Sequence, residues 1–172
     1  AVWEAFRAVC SRLMRVGIVA EGPTDHLVLE TFIAALVGQD TQFERIYPDS
    51  SLSFGGGWKG VRSWCTAYGR DLAAIMAAVK GAELTHLVIH LDADVTDDPD
   101  IGVIWDCPPP STSCASLRAA VGGWIGMPQP FIVIATPSRF IETWVVAALE
   151  PLERVRADLE CDPLVDRILL RG

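Results

Sequence analysis

Three short aliphatic runs constrain this chain more than any other feature: Val16–Ala20, Leu87–Leu91 and Phe131–Ala135. Each is too brief for a stable helix, is rich in Val and Ile, and carries no strict polar alternation, which is the pattern of a strand buried on both faces. A weaker strand is expected at 43–47, Phe-Glu-Arg-Ile-Tyr. Between the runs, apolar residues recur at helical spacing, as at Leu29, Phe32, Ile33 and Leu36 in the segment Thr24–Val37, which Gly38 ends. Further helices are predicted from Lys59 to Val79, over 115–122, and from Thr136-Pro137 to Leu149, with a long exposed loop over 95–113. Strands alternating with helices imply crossover connections and a mostly parallel sheet. The predicted fold class is α/β, a Rossmann-like sheet of about four strands with helices on both faces.

Residues 1–13 have helical spacing and are expected to form an N-terminal extension ahead of Met14, with 14–172 a single domain. No run reaches the ~20 apolar residues of a membrane span. The expectation is a cytoplasmic protein with no membrane association. Five cysteines without a close pair fit reduced thiols better than a disulfide framework. A formal net charge of -8 disfavours broad adhesion to nucleic acid. An acidic protein that handles a polyanion needs a local basic strip, or metal ions that reverse the sign of an acidic pocket.

The acids fall where such a pocket belongs. In an open parallel sheet, ligands bind beyond the carboxyl ends of the strands, and here Glu21 follows the first run while Asp92 and Asp94 follow Leu87–Leu91. Residues two apart on a strand share a side, so Asp92 and Asp94 are expected to face one ion while Ala93 turns away. If the first and third strands are neighbours, Glu21 joins them. Like charges this close need a compensating cation, and all-oxygen ligands select Mg²⁺ or Mn²⁺. Asp25, one turn into the next helix, either holds a second ion or serves the helix terminus electrostatically. Lys59, after Gly55-Gly56-Gly57-Trp58, either holds phosphate at a helix start or is a solvated lysine. His86 and His90 read as satisfied core histidines and His26 as an exposed helix histidine. Trp58, Trp64, Trp124 and Trp144 read as core or lid residues, with Trp105 the candidate for base stacking.

The order Glu21-Gly22-Pro23-Thr24-Asp25, then an apolar strand ending in Asp92-Ala93-Asp94, resembles the Toprim domain of topoisomerases, primases and overcoming-lysogenization-defect nucleases. The resemblance extends over about residues 15 to 149. The acid four residues after the glutamate is similar to the nuclease branch, which implies that Asp25 is a metal ligand. Ile141-Glu142-Thr143-Trp144 resembles the Ile-Glu-aromatic helix of small stand-alone bacterial Toprim-like proteins, several associated with phage defence, and this brings in Glu142 as a further ligand. The resemblance implies a metal-dependent nuclease acting on DNA or RNA, with Glu21, Asp92 and Asp94 as catalytic residues; Lys59, read from its place at a helix start, is expected to join them by holding substrate. Two alternatives stand beside it. One is a catalytically silent Toprim scaffold that binds a partner protein such as an ATPase or antitoxin. The other is a nucleotide-sugar transferase, in which a strand ending in Asp92-Ala93-Asp94 would hold a metal–diphosphate.

Overall fold

The structure, a computed structural model, describes residues 14–38, 40–49, 53–71, 74–76, 84–104, 111–126, 129–137 and 141–149. The expected N-terminal extension 1–13, Trp105, and the chain beyond Leu149 lie outside the described residues. Four strands form one sheet: β1 (Arg15–Val19), β2 (Gln42–Tyr47), β3 (His86–His90) and β4 (Ile132–Ala135). Their order is β2-β1-β3-β4 and every pairing is parallel. The fold is α/β and Rossmann-like. β1 and β3 are the inner pair, in register from Val16 opposite His86 to Val19 opposite Ile89, so the residues that follow them emerge side by side.

Among the described residues, the sheet is accompanied by helices α1 (Pro23–Val37), α2 (Gly57–Tyr68), α3 (Ser111–Ile125) and α4 (Glu142–Leu149), and residues 74–76 are also helical. Strand alternation divides the apolar side chains between two faces. Val19, Leu87 and Ile89 pack with Val61, Trp64 and Cys65 of α2 and with Leu117 and Val121 of α3. Val16, Ile18 and Val88 pack on the opposite face with Leu29 of α1 and Ile141, and Trp144 of α4 rests against them. Helices therefore cover both faces, as predicted. Among the described residues, no helix is long and apolar enough to cross a membrane.

Several boundaries differ from expectation. The helix predicted to run to Val79 stops at Tyr68 and passes into a 3-10 turn, Gly69–Asp71. At this point the chain packs closely on α3: a Cβ at Gly69 would lie 2.6 Å from Ile125 Cα. The segment expected as an exposed loop contains two 3-10 helices, Ala93–Asp97 and Pro99–Ile101, and buries Val95 and Ile101. α3 begins at Ser111, ahead of the predicted 115, and α4 begins at Glu142. Thr136 does not open α4; its hydroxyl accepts a hydrogen bond from Arg118 at 3.0 Å.

Candidate metal centre

β1 runs through Ala20 into Glu21 and Gly22, where α1 begins. The first N–H groups of a helix lack intrahelical partners, and here Asp25 supplies one: its Oδ2 accepts from the backbone N–H of Glu21 at 3.1 Å and of Gly22 at 2.9 Å. The helix-terminus role weighed for Asp25 is thus realised, and the same contact pins the turn that presents Glu21. The Glu21 side chain then crosses to the neighbouring strand, its Oε1 accepting the backbone N–H of Asp92 at 3.0 Å. The acids at 21 and 92, 71 positions apart in sequence, are joined directly.

Asp92 itself is extended (φ -68°, ψ 143°), and the chain after it coils into the 3-10 helix Ala93–Asp97. This corrects the expected geometry for Asp94, which lies in the first turn of that helix and does not continue a strand. The strand ends at His90, so period-two alternation no longer applies. Asp94 nevertheless acts electrostatically on both Glu21 and Asp92. Glu142, the first residue of α4, acts on Asp92 from the other side, and the backbone N–H of the adjacent Ile141 donates to the Asp92 carboxyl.

Burial dominates the electrostatics. Burial pushes Glu21 up to about 8, assisted by the charges of Asp92, Asp94 and Asp25 and opposed by the hydrogen bond from Asp92. Burial likewise pushes Asp92 up to about 8, with Asp25, Asp94 and Glu142 acting in the same direction. Carboxyls placed this way resist ionisation unless a cation joins them. The five predicted ligands, Glu21, Asp25, Asp92, Asp94 and Glu142, thus act on one another at the carboxyl end of the sheet. Among the described residues, no group of three or more His, Cys, Asp or Glu side chains is arranged to hold a metal ion as it stands.

Two histidines depart from expectation. His26 is buried on α1, and its Nε2 lies 2.8 Å from the carbonyl oxygen of Tyr47; it ties α1 to the end of β2. His90 is fully buried but not satisfied. Its Nε2 stands 3.3 Å from Asp92 Oδ1 and its Nδ1 3.8 Å from Asp25 Oδ2, yet neither nitrogen nor Asp92 Oδ1 has a hydrogen-bond partner. Burial holds the His90 imidazole below its ordinary range. Sequence reasoning missed this because an apolar strand ending in histidine gives no sign that an acid from α1 will lie over it.

Lys59 lies in the first turn of α2, near the helix start expected for it. Its ammonium lies 3.1 Å from Asp100 Oδ2 and 3.3 Å from Asp98 Oδ2, with Trp58 beneath it at 5.3 Å. The α2 N-terminus comes close to the acids: Gly56 caps it without a side-chain hydrogen bond, and a Cβ on Gly57 would lie 3.8 Å from Glu21 Oε2. Tyr47 holds it there, donating to the carbonyl of Gly55 at 2.5 Å. Gly60 makes room for that ring, since a Cβ there would overlap the Tyr47 hydroxyl. Trp58 and Trp64 are core residues, as predicted. Compared with known proteins, the chain matches no protein-family model, no curated protein and no solved structure.

Proposed function

We propose that the chain is a Toprim-like, metal-dependent phosphodiester-cleaving domain, nuclease-like in its chemistry, with Mg²⁺ or Mn²⁺ held chiefly by Glu21, Asp92 and Asp94. The observation that carries the reading is the direct link from Glu21 to Asp92 across β1 and β3, with both residues half-buried and their carboxyls pushed up to about 8 by desolvation. Mutual repulsion spreads like charges when no cation stands between them, and all-oxygen donors fit a hard divalent ion. Asp92 Oδ1, buried and without a hydrogen-bond partner, is a lone pair of the kind such an ion takes. Asp25 is committed to the α1 N-terminus through Oδ2 and flanks the site, as does Glu142.

When bound, the ion supplies Lewis acidity toward a phosphoryl oxygen and lowers the pKa of a bound water. The chain's own residues do the positioning. Glu21 fixes the spacing of the two strand tips, and the uncapped α2 N-terminus beside it offers backbone N–H groups to a phosphate. Lys59 serves as a phosphate-holding cation only if it leaves Asp98 and Asp100. The acidic balance of the chain supports the alternative, a silent scaffold for a partner protein.

Incubation of the purified chain with single- and double-stranded DNA and RNA, with Mn²⁺ or Mg²⁺, separates the two readings. Cleavage by the wild type and none by Asp92→Ala supports the enzyme. Equal cleavage by both proteins indicates contamination, and absence of cleavage across metals and substrates favours the scaffold.

A further inference from the structure

Of the two buried histidines, one has an evident structural task and the other does not. His26 is held by the Tyr47 carbonyl. His90 has no such tie: it is 0 % exposed, neither ring nitrogen has a hydrogen-bond partner, and its ring lies between Asp25 and Asp92 on the inner side of the acidic cluster. Buried polar groups are normally paired, so an imidazole left this way calls for a ligand.

We propose that His90 is a nitrogen ligand to the ion that Asp92 helps to hold, and that it makes the site selective for Mn²⁺ over Mg²⁺. The inference rests on the metal-site reading above and sharpens it. His90 Nε2 and Asp92 Oδ1 face one another at 3.3 Å without forming a hydrogen bond. On a six-coordinate ion with bonds of about 2.1 Å, adjacent ligand atoms stand about 3 Å apart, so the observed separation suits two atoms that share a cation. Ligation through Nε2 leaves the proton on Nδ1, the nitrogen turned toward Asp25 Oδ2 at 3.8 Å. A carboxylate on that side favours the proton on Nδ1 electrostatically and would orient the ring if the gap closed to a hydrogen bond on metal binding, as partners of metal-bound imidazoles do. An all-carboxylate site accepts Mg²⁺ readily, whereas an imidazole favours the transition metals.

The test is binding by the full chain, freed of metal with a chelator and titrated with MnCl₂ or MgCl₂, together with pulsed electron paramagnetic resonance of the Mn²⁺ complex. The wild-type complex is expected to show nitrogen hyperfine modulation from a coordinated imidazole. In His90→Leu that modulation disappears and Mn²⁺ binding weakens by about 10-fold or more, while Mg²⁺ binding changes by less than about 3-fold. His90→Gln, which keeps a polar atom in place, is expected to recover part of the Mn²⁺ affinity without the imidazole signal. Mn²⁺ bound by wild type with no nitrogen coupling, or an unchanged Mn²⁺ to Mg²⁺ preference in His90→Leu, overturns the role of His90 and leaves the metal site standing. Failure of the wild type to bind either ion overturns both. Should the variants fail to fold, the wild-type spectrum alone decides.

Discussion

Two groups of acids, Asp98 with Asp100 and Glu21 with Asp92, meet opposite fates. Asp98 and Asp100 lie on the surface with Lys59 between them. Asp98 also accepts the Asp100 N–H at 2.9 Å, and that bond, with help from Lys59, holds its carboxyl below the ordinary range. Glu21 and Asp92 are half-buried at the tips of the inner strands, where desolvation and their acidic neighbours push both up to about 8. Residue type is the same; water and a cation make the difference. The surface group carries a countercharge in Lys59, whereas among the described residues no Lys or Arg pairs with Glu21 or Asp92, and the proposed metal ion would supply the missing charge.

The largest effect should separate the two groups outright. If the proposed reading holds, Asp92→Ala is expected to reduce Mn²⁺-dependent cleavage by about 1000-fold or more, since it would remove a ligand of the ion, while Asp98→Ala leaves the rate within about 3-fold. Circular dichroism should show both variants folded. Comparable losses in the two would erase the distinction.

The pH dependence of stability sharpens the contrast, because the two groups have opposite signs. A carboxyl whose folded pKa is raised binds its proton more tightly when folded, so its contribution is present below the ordinary carboxylate range and is lost as pH rises toward about 8. Asp98, with a lowered pKa, contributes stability that is present above that range and is lost on acidification. Denaturant melts in the presence of chelator are expected to show stability falling from pH 5.5 to 8.5. Asp92→Asn should flatten that slope and stabilise the metal-free protein at pH 8.5 by roughly 1–3 kcal/mol, discounted from the full shift for partial solvation. A slope that is flat in the wild type would mean that the tips are not buried as described.

A comparable effect is expected from the support beneath the site. Gly60→Ala drives a methyl into the Tyr47 hydroxyl and should cost about 1–3 kcal/mol by overpacking, with cleavage falling as the α2 N-terminus shifts from Glu21. The smallest effect is that of Lys59→Ala. Its ion pairs are exposed and such pairs contribute little. The melting temperature should hardly move, and a fall in cleavage of more than about 10-fold would instead assign Lys59 a direct role on phosphate.

The sheet was legible because strand signals in this chain are unambiguous. Val16–Ala20 and Leu87–Leu91 are too short and too aliphatic to be anything but buried strands, and acids directly after them can lie only at the carboxyl edge. The meeting of Glu21 with Asp92 followed from the adjacency of β1 and β3. What the sequence concealed depends on contacts between distant segments. Asp94 was expected to share a strand face with Asp92, but the chain coils at Ala93, where the strand period ends. His26 looked exposed because helical spacing does not reveal that the Tyr47 carbonyl will sit over it. The ion pairs of Lys59 were not legible because Asp98 and Asp100, some 40 positions later, fold back onto α2.

The most direct test is calorimetric titration of the chelator-treated protein with MnCl₂ near pH 7, repeated in two buffers of different ionisation heat. Binding is expected to displace roughly one to two protons per ion from the Glu21 and Asp92 carboxyls, and the Asp92→Asn variant should lose at least about 100-fold in affinity. Binding without proton release, or equal affinity in the variant, would contradict a cation site at the tips of β1 and β3.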